Sequence, residues 1–168
     1  QIEGHNRLME ARYRYRHLEY QKETLGEPVS RDAKNYDRFF DRFVEYLLFK
    51  HEAPLAGHFI PRNPEYEMAF RENRRSTSDG FSLRDFNLRD RIFEHRLSYL
   101  IQSRSFIEAP HGMRDEVYHR LWPILSAKTP PEGFEYFDRG ERERIIQILR
   151  ETHDDLPDVW YGGFANRD

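Results

Sequence analysis

The sequence predicts an all-α fold, a single domain of about six helices around an aromatic-rich core. Apolar residues recur at spacings of three and four in several segments, as they do along one face of a helix, and no segment alternates in the way a strand does. Only 38% of the residues are apolar, so we expect the thirteen Phe and ten Tyr to form much of the hydrophobic core. The length of 168 residues suits one domain spanning 1–168.

Two helices are predicted in the first fifty residues. The helix over 6–25 has an apolar seam formed by Leu8, Ala11, Tyr15, Leu18 and Leu25. Gly26 follows this seam, at the position where glycine commonly ends a helix. The helix over 31–50 has the widest apolar face of the chain, formed by Tyr36, Phe40, Phe43, Val44, Leu47 and Leu48. We therefore expect it to be the central core helix.

The middle of the chain is predicted to contain a short helix, a polar loop and a long helix. Asn63 followed by Pro64 indicates a helix start, with the helix over 64–72. The long helix is predicted over 83–103 and opens with SLRDFNLRDRIF. On that helix, Asp85 and Arg89 would form a favourable pair four residues apart. The charged residues along its margin would anchor neighbouring loops; they are Arg84, Asp85, Arg89 and Arg91.

Two further helices and a tail complete the prediction. In the helix over 113–125, Pro123 removes a backbone hydrogen bond, so we expect a kink or a stop near Leu121. Asp138 and Glu141 have the spacing of a capping box and open the last helix, which ends near Thr152. Residues 153–168 are predicted to form an aromatic tail that either docks on the body of the domain or belongs to a partner surface. Its predicted partner contacts are Trp160, Tyr161 and Phe164.

One histidine cluster could hold a metal. In the segment KHEAPLAGH, the candidate ligands are His51, Glu52 and His58. Pro54 lies between the two histidines, so they do not share one continuous helix face, and their spacing differs from that of HExxH. Surface histidines at a helix end are the favoured interpretation. A transition metal or a noncovalent haem at this cluster is the alternative.

A second segment, ARYRYRH, could suit single-stranded nucleic acid, because it alternates arginine with tyrosine over residues 11–17. On a helix, however, alternate residues point about 200° apart, so they form no continuous stripe. The formal net charge of −3 gives no electrostatic reason for nucleic-acid binding either. We expect no nucleic-acid partner.

The absence of Cys excludes several chemistries within this chain: a thiol nucleophile, a Cys-ligated zinc, an iron–sulfur cluster and covalent attachment of c-type haem. The sequence contains no G-x-S-x-G and no glycine-rich phosphate loop, whereas an acid–base site built from scattered residues would leave no linear pattern. No apolar run approaches the ~20 residues of a membrane-spanning helix. Because the chain begins with Gln1, we expect a processed chain or a fragment of a longer one.

Three stretches carry a resemblance to a known family. They are YLLFKHEAPLAGHFIP, FSLRDFNLRDRIFEHRLSYLIQSRSF and EVYHRLWPIL, followed by ILRET and LPD. In this order they resemble the C-terminal region of large uncharacterised bacterial proteins, over residues 40–158. Several of those proteins are exported and associated with c-type haem segments upstream. The resemblance implies a periplasmic or extracellular location, but no catalytic residue.

From these observations we expect a non-catalytic accessory or protein-interaction domain. It would be a subunit or fragment of an exported bacterial redox or haem-containing assembly with a role in electron transfer. The expected partner is a protein or the remainder of a larger polypeptide, and no cofactor is expected within the chain. The alternative is an enzyme domain that binds a metal or haem through the His/Glu cluster at residues 51–58.

Overall fold

The computed structural model describes residues 2–55 and 61–162 and confirms the all-α fold. Within these residues the chain forms six α-helices and no strand. They are α1 (Ile2–Leu25), α2 (Ser30–Leu47), α3 (Pro64–Arg71), α4 (Arg104–Ile107), α5 (His111–Ser126) and α6 (Arg139–Thr152). Short 3-10 turns lie at Tyr99–Gln102 and Asp158–Trp160. No helix in these ranges combines the length and the apolar character that crossing a bilayer requires.

Helices α1 and α2 pack antiparallel along their lengths. Near the start of α1, the Arg7 guanidinium lies 4.8 Å from the centre of the Tyr46 ring, close to the end of α2. Two turns later, the Arg14 guanidinium lies 4.9 Å from the centre of the Phe39 ring. Because the residue numbers rise along α1 as they fall along α2, the two helices run in opposite directions. The turn between them begins at Gly26, which has a φ of 79°.

Helix α5 continues through Pro123 to Ser126, so it does not stop near Leu121, and of the predicted kink or stop only the kink stays a prediction. Proline removes one hydrogen bond, but Leu121 and Leu125 are fully buried on either side of it and hold this turn against the core. The end of α5 is also stabilised from outside. The buried guanidinium of Arg142, on α6, donates to the carbonyls of Leu125 and Ala127.

The start of α6 matches its prediction in part. The side chain of Asp138 accepts a hydrogen bond from the Glu141 amide at 2.8 Å, as an N-cap does. The second bond of a capping box, from the Asp138 amide to the Glu141 carboxylate, does not appear among the bonds of the described residues. The Glu141 carboxylate instead accepts from the backbone amide of Arg96 at 2.9 Å and pairs with the Arg96 guanidinium at 3.1 Å. Helix α6 is thereby tied to the segment that precedes the Tyr99–Gln102 turn.

The predicted helix over 83–103 is wrong. Residues 86–93 instead form a short hairpin in which Phe86 and Phe93 make an antiparallel bridge. The Asn87 amide donates to the Ile92 carbonyl at 3.0 Å, and the Leu88 amide donates to the Arg91 carbonyl at 2.8 Å. Asn87 gives the physical reason, because its side-chain oxygen accepts from the amides of residues 89 and 90, both at 2.9 Å. These bonds favour a turn over a helix.

The charged residues near the 86–93 hairpin therefore do not form the pairs that a continuous helix would have placed together. Asp85 pairs with Arg74 and accepts from the Ser82 amide, so its predicted pairing with Arg89 does not form. Arg84 donates to the carbonyls of residues 70 and 72. Arg91 donates to the carbonyls of residues 93 and 94, at 3.0 and 2.8 Å. Arg89 is exposed.

Candidate functional site

One face of α1 lies largely outside the core and carries arginine beside aromatic side chains. Spacings of three and four place its residues on one stripe, because a helix turns about 100° per residue. We call this stripe the α1 outer face. It consists of Met9, Arg12, Tyr13, Arg16, His17 and Tyr20, which line one shallow depression.

Two large rings of the α1 outer face are exposed to solvent. Tyr13 is 68% exposed and Tyr20 is 64% exposed. The Tyr13 ring stacks on His17, with 6.0 Å between centroids and 8° between planes. His17 in turn lies beside Asp32, with 3.6 Å between the imidazole and the carboxylate. This stack holds the Tyr13 ring in place, so the face presents ordered aromatic area without a cover among the described residues.

The arginines of α1 divide into two groups. Arg7 and Arg14 each pair with a glutamate four residues earlier, at 2.8 and 2.7 Å. Arg12 and Arg16 have no hydrogen bond or ion pair with any residue of 2–55 or 61–162. Both unpaired guanidinium groups belong to the α1 outer face. The face therefore presents two positive charges whose hydrogen-bonding capacity is unused within the described chain.

The sequence prediction missed this face because it compared alternate residues. Arg14 does lie on another side of α1, where it contacts Phe39. Arg12 and Arg16, however, are four residues apart and share one side of the helix. The signal that could have found the face was the spacing of Arg12, Arg16 and Tyr20.

A second feature lies where α2 ends. A cavity of about 580 Å³ opens there between α1, the end of α2 and the 86–93 hairpin, and we call it the Phe49 cleft. Its apolar wall consists of Tyr46, Phe49, Ile92 and Phe93. Phe49 and Phe93 stack with 5.8 Å between centroids. Burial raises the pKa of the Tyr46 phenol, so it stays protonated near neutral pH.

The backbone at Phe49 adopts a left-handed conformation, with a φ of 52°. The amide of Lys50 donates to the Glu45 carbonyl at 3.0 Å, and the amide of Phe49 donates to the Tyr46 carbonyl at 3.2 Å. This pair of bonds is the helix ending in which glycine normally occupies the left-handed position. A side chain there costs about 1–2 kcal/mol. The chain therefore keeps a phenyl ring in the cleft wall at a cost in backbone strain.

The remaining lining of the Phe49 cleft is charged or titratable. It consists of Glu3, Arg7, Arg42, Glu45, Lys50, His51 and Glu52. The predicted ligands His51 and Glu52 therefore both lie at this cleft, whereas His58 lies outside the described residues. In the described part of the chain, no three His, Cys, Asp or Glu side chains are close enough to hold a metal ion. The three-residue site that includes His58 stays a prediction.

Two other histidines are buried. His95 and His153 are both almost fully enclosed, and burial lowers the pKa of each imidazole. His153 contacts the Ile101 carbonyl at 3.3 Å and the Thr152 hydroxyl at 3.1 Å. These contacts connect the end of α6 to the Tyr99–Gln102 turn, so the role of His153 is to stabilise the fold.

The three predicted tail contacts have different positions. Trp160 is fully buried, with its ring 5.1 Å from Trp122 and 6.2 Å from Tyr118 between centroids. The expectation that Trp160 is exposed for a partner is therefore wrong, because α5 offers an aromatic surface that covers it. Tyr161 is 54% exposed. Phe164 lies outside the described residues.

Comparisons of the chain with protein-family models, with curated proteins and with solved structures gave no match.

Proposed function

We propose that this chain is a non-catalytic interaction domain that binds an acidic protein segment through the α1 outer face. The observation that carries the proposal is the presence of two arginines, Arg12 and Arg16, that have no partner among residues 2–55 and 61–162 and lie next to the exposed rings of Tyr13 and Tyr20. Tyrosine and arginine are enriched in protein interfaces and in the residues that contribute most to binding. Two adjacent positive charges favour a partner that carries carboxylates.

A second copy of the chain fits this face poorly. In an antiparallel contact between two α1 helices centred on the α1 outer face, Arg12 of one copy would lie opposite Arg16 of the other. Like charges placed opposite each other oppose association. A symmetric dimer through this face would therefore contain this unfavourable contact twice.

Nucleic acid fits it poorly as well. Affinity for nucleic acid comes mainly from Lys and Arg side chains that neutralise several backbone phosphates. The α1 outer face offers two guanidinium groups that are unpaired among the described residues, and the whole chain has a net charge of −3. An acidic protein segment needs only a few charge pairs combined with apolar area, which this face provides.

The wider setting of the domain is proposed from the resemblance alone. The pattern over 40–158 resembles exported bacterial proteins associated with c-type haem segments. We therefore propose an accessory role in an exported redox or haem-containing assembly, in the periplasm or outside the cell. The acidic partner would be another subunit or a further part of a longer polypeptide.

Site-directed photo-crosslinking in the source cells tests the interaction. A photoreactive phenylalanine analogue is placed at Tyr13 or Tyr20, and at Met68 as an exposed control position on α3. We expect the two α1 positions to capture the same acidic protein segment, identified by mass spectrometry, and Met68 to capture a different set or nothing. The double substitution Arg12→Glu and Arg16→Glu should abolish the capture. Identical products from all three positions would contradict the proposal.

One observation favours the alternative function, a metal- or haem-binding enzyme domain. His51 and Glu52 both lie at the Phe49 cleft, beside an apolar wall. Metal analysis and a visible spectrum of the natively purified protein distinguish the two functions. A stoichiometric transition metal or a Soret band that is lost in His51→Ala would replace the interaction proposal with this one.

A further inference from the structure

The charged groups of the Phe49 cleft fall into satisfied and unsatisfied sets. Arg7 pairs with Glu3 at 2.8 Å and also covers the Tyr46 ring. Lys50 pairs with Glu45 at 2.6 Å. The hydrogen-bonding groups of these four residues are therefore largely used within the protein.

Besides the Tyr46 hydroxyl, three polar side chains of the cleft remain. The Glu52 carboxylate accepts a long hydrogen bond, 3.4 Å, from the Ile92 amide and so faces the 86–93 hairpin. Arg42 and His51 line the cleft without a side-chain hydrogen bond or ion pair to any described residue. Arg42 is permanently charged and offers five N–H donors. On the α2 side of the cleft, the group free to bind a ligand is therefore the positively charged guanidinium of Arg42, a hydrogen-bond donor.

The apolar wall sets the other half of the recognition. Phe49 and Phe93 stack face to face, and Ile92 extends the wall along the hairpin. A cavity of about 580 Å³ lies within the range of small-molecule sites, about 300–1,000 Å³. Phe49 keeps its ring in this wall although glycine would fit the backbone better. A strained residue whose ring lines a cavity indicates a use for the ring beyond ending the helix.

We propose that the Phe49 cleft binds a small amphipathic carboxylate, with the carboxylate on Arg42 and an aromatic or branched apolar body against Phe49 and Phe93. This site is separate from the α1 outer face and goes beyond the proposed interaction function. The pairing of a planar carboxylate with a guanidinium is charge-assisted and bidentate. The apolar part of the ligand displaces water from the rings of Phe49 and Phe93, which favours binding.

Sodium phenylacetate is the probe, followed in a nitrogen-15 amide spectrum of the whole chain. We expect saturable shifts at residues 46–52 and 92–93, with a Kd on the order of 1 mM for so small a ligand. Arg42→Ala should weaken binding about tenfold or more, because it removes the charge-assisted contact. Arg38→Ala, one turn earlier on α2, is the matched control and should leave the Kd unchanged. Benzyl alcohol, which has the body without the charge, should bind more weakly than phenylacetate.

Two further variants distinguish the contribution of the aromatic wall to binding from the contribution of the charged side chains. Phe49→Gly removes the ring and adopts the left-handed conformation without strain, so the chain should stay folded and lose affinity for both probes alike. Glu52→Gln keeps an acceptor for the Ile92 amide and removes a negative charge, so phenylacetate should bind equally or more tightly.

Several results would overturn the proposal. They are an absence of saturable shifts up to the solubility limit, equal effects of Arg42→Ala and Arg38→Ala, or tight binding that survives Phe49→Gly. A loss of affinity for phenylacetate in Glu52→Gln would also overturn it, because the Glu52 carboxylate would then support binding of the anion instead of opposing it. A dispersed amide spectrum for each variant shows that the fold is intact and that the change lies in the cleft.

Discussion

The burial of Trp160 leads to a quantitative prediction about stability. Its indole is fully enclosed between Tyr118 and Trp122, and its backbone carbonyl accepts a hydrogen bond from the Arg150 guanidinium. The tail thereby closes the aromatic core between α5 and α6. Trp160→Ala would leave a cavity the size of an indole ring at this closure.

The magnitude follows from the contacts that are lost. Replacing a buried Trp by Ala typically costs about 3–5 kcal/mol, since both apolar burial and close packing disappear. The indole N–H of Trp160 has no hydrogen-bond partner within the described part of the chain. Trp160→Phe keeps most of the ring contacts and removes that unsatisfied donor, so its cost should be about 1 kcal/mol. For a chain of this length, about 4 kcal/mol lowers Tm by roughly 8–16 °C.

Urea unfolding followed by far-UV circular dichroism measures these differences. Tyr161→Ala is the matched control, because its neighbouring ring is about half exposed and its loss should change the free energy of unfolding by about 0.5 kcal/mol or less. We expect the order Trp160→Ala, Trp160→Phe, Tyr161→Ala from the largest loss to the smallest. Equal midpoints for Trp160→Ala and Tyr161→Ala would refute the assignment of Trp160 to the core.

Two further predictions concern the hairpin and the buried histidines. Arg91→Ala removes two hydrogen bonds to backbone carbonyls and a 3.5 Å ion pair to Glu141, so Tm should fall by several degrees. Partner binding should not change, and an unchanged Tm would contradict this structural role. Burial lowers the pKa of His95 and His153 in the folded chain. As the pH falls, these histidines therefore take up protons in the unfolded chain before they do so in the folded chain. The free energy of unfolding is at its full value above about pH 6.5 and decreases below it. The urea midpoint should therefore fall between about pH 7 and pH 5.5, less so in a His95→Phe, His153→Gln variant; equal slopes for both proteins would contradict the prediction.

Helices with a clear apolar face and a local cap were predictable from the sequence. The Asn63 cap of α3, the Asp138 cap of α6 and the turn at Gly26 all have local causes and are confirmed. The segment 83–103 was not predictable in the same way, because its apolar residues fit a helical face. The turn bonds of Asn87 and the stacking of Phe93 on Phe49 favour the hairpin, and the second of these depends on a contact distant in sequence.

The candidate sites were predictable to different extents. The spacing of Arg12 and Arg16 in the sequence is enough to place them on one face of α1. Whether they have partners depends on where neighbouring acids lie, which only the packed structure shows. Phe49 gave no sequence signal at all, since the left-handed position at a helix end is usually recognised by glycine. Trp160 could not be assigned to the core, because its cover comes from α5.

The affinity between the chain and the partner captured at Tyr13 tests the central claim most directly. Calorimetric titration compares the native chain with the Arg12→Glu, Arg16→Glu variant, and Arg38→Glu serves as the control for a charge reversal outside the α1 outer face. We predict a loss of about tenfold to a hundredfold for the double variant, because each lost interfacial charge pair weakens binding and each new carboxylate repels an acidic partner. Arg38→Glu should leave the Kd unchanged. An equal Kd for the native chain and the double variant would contradict the account.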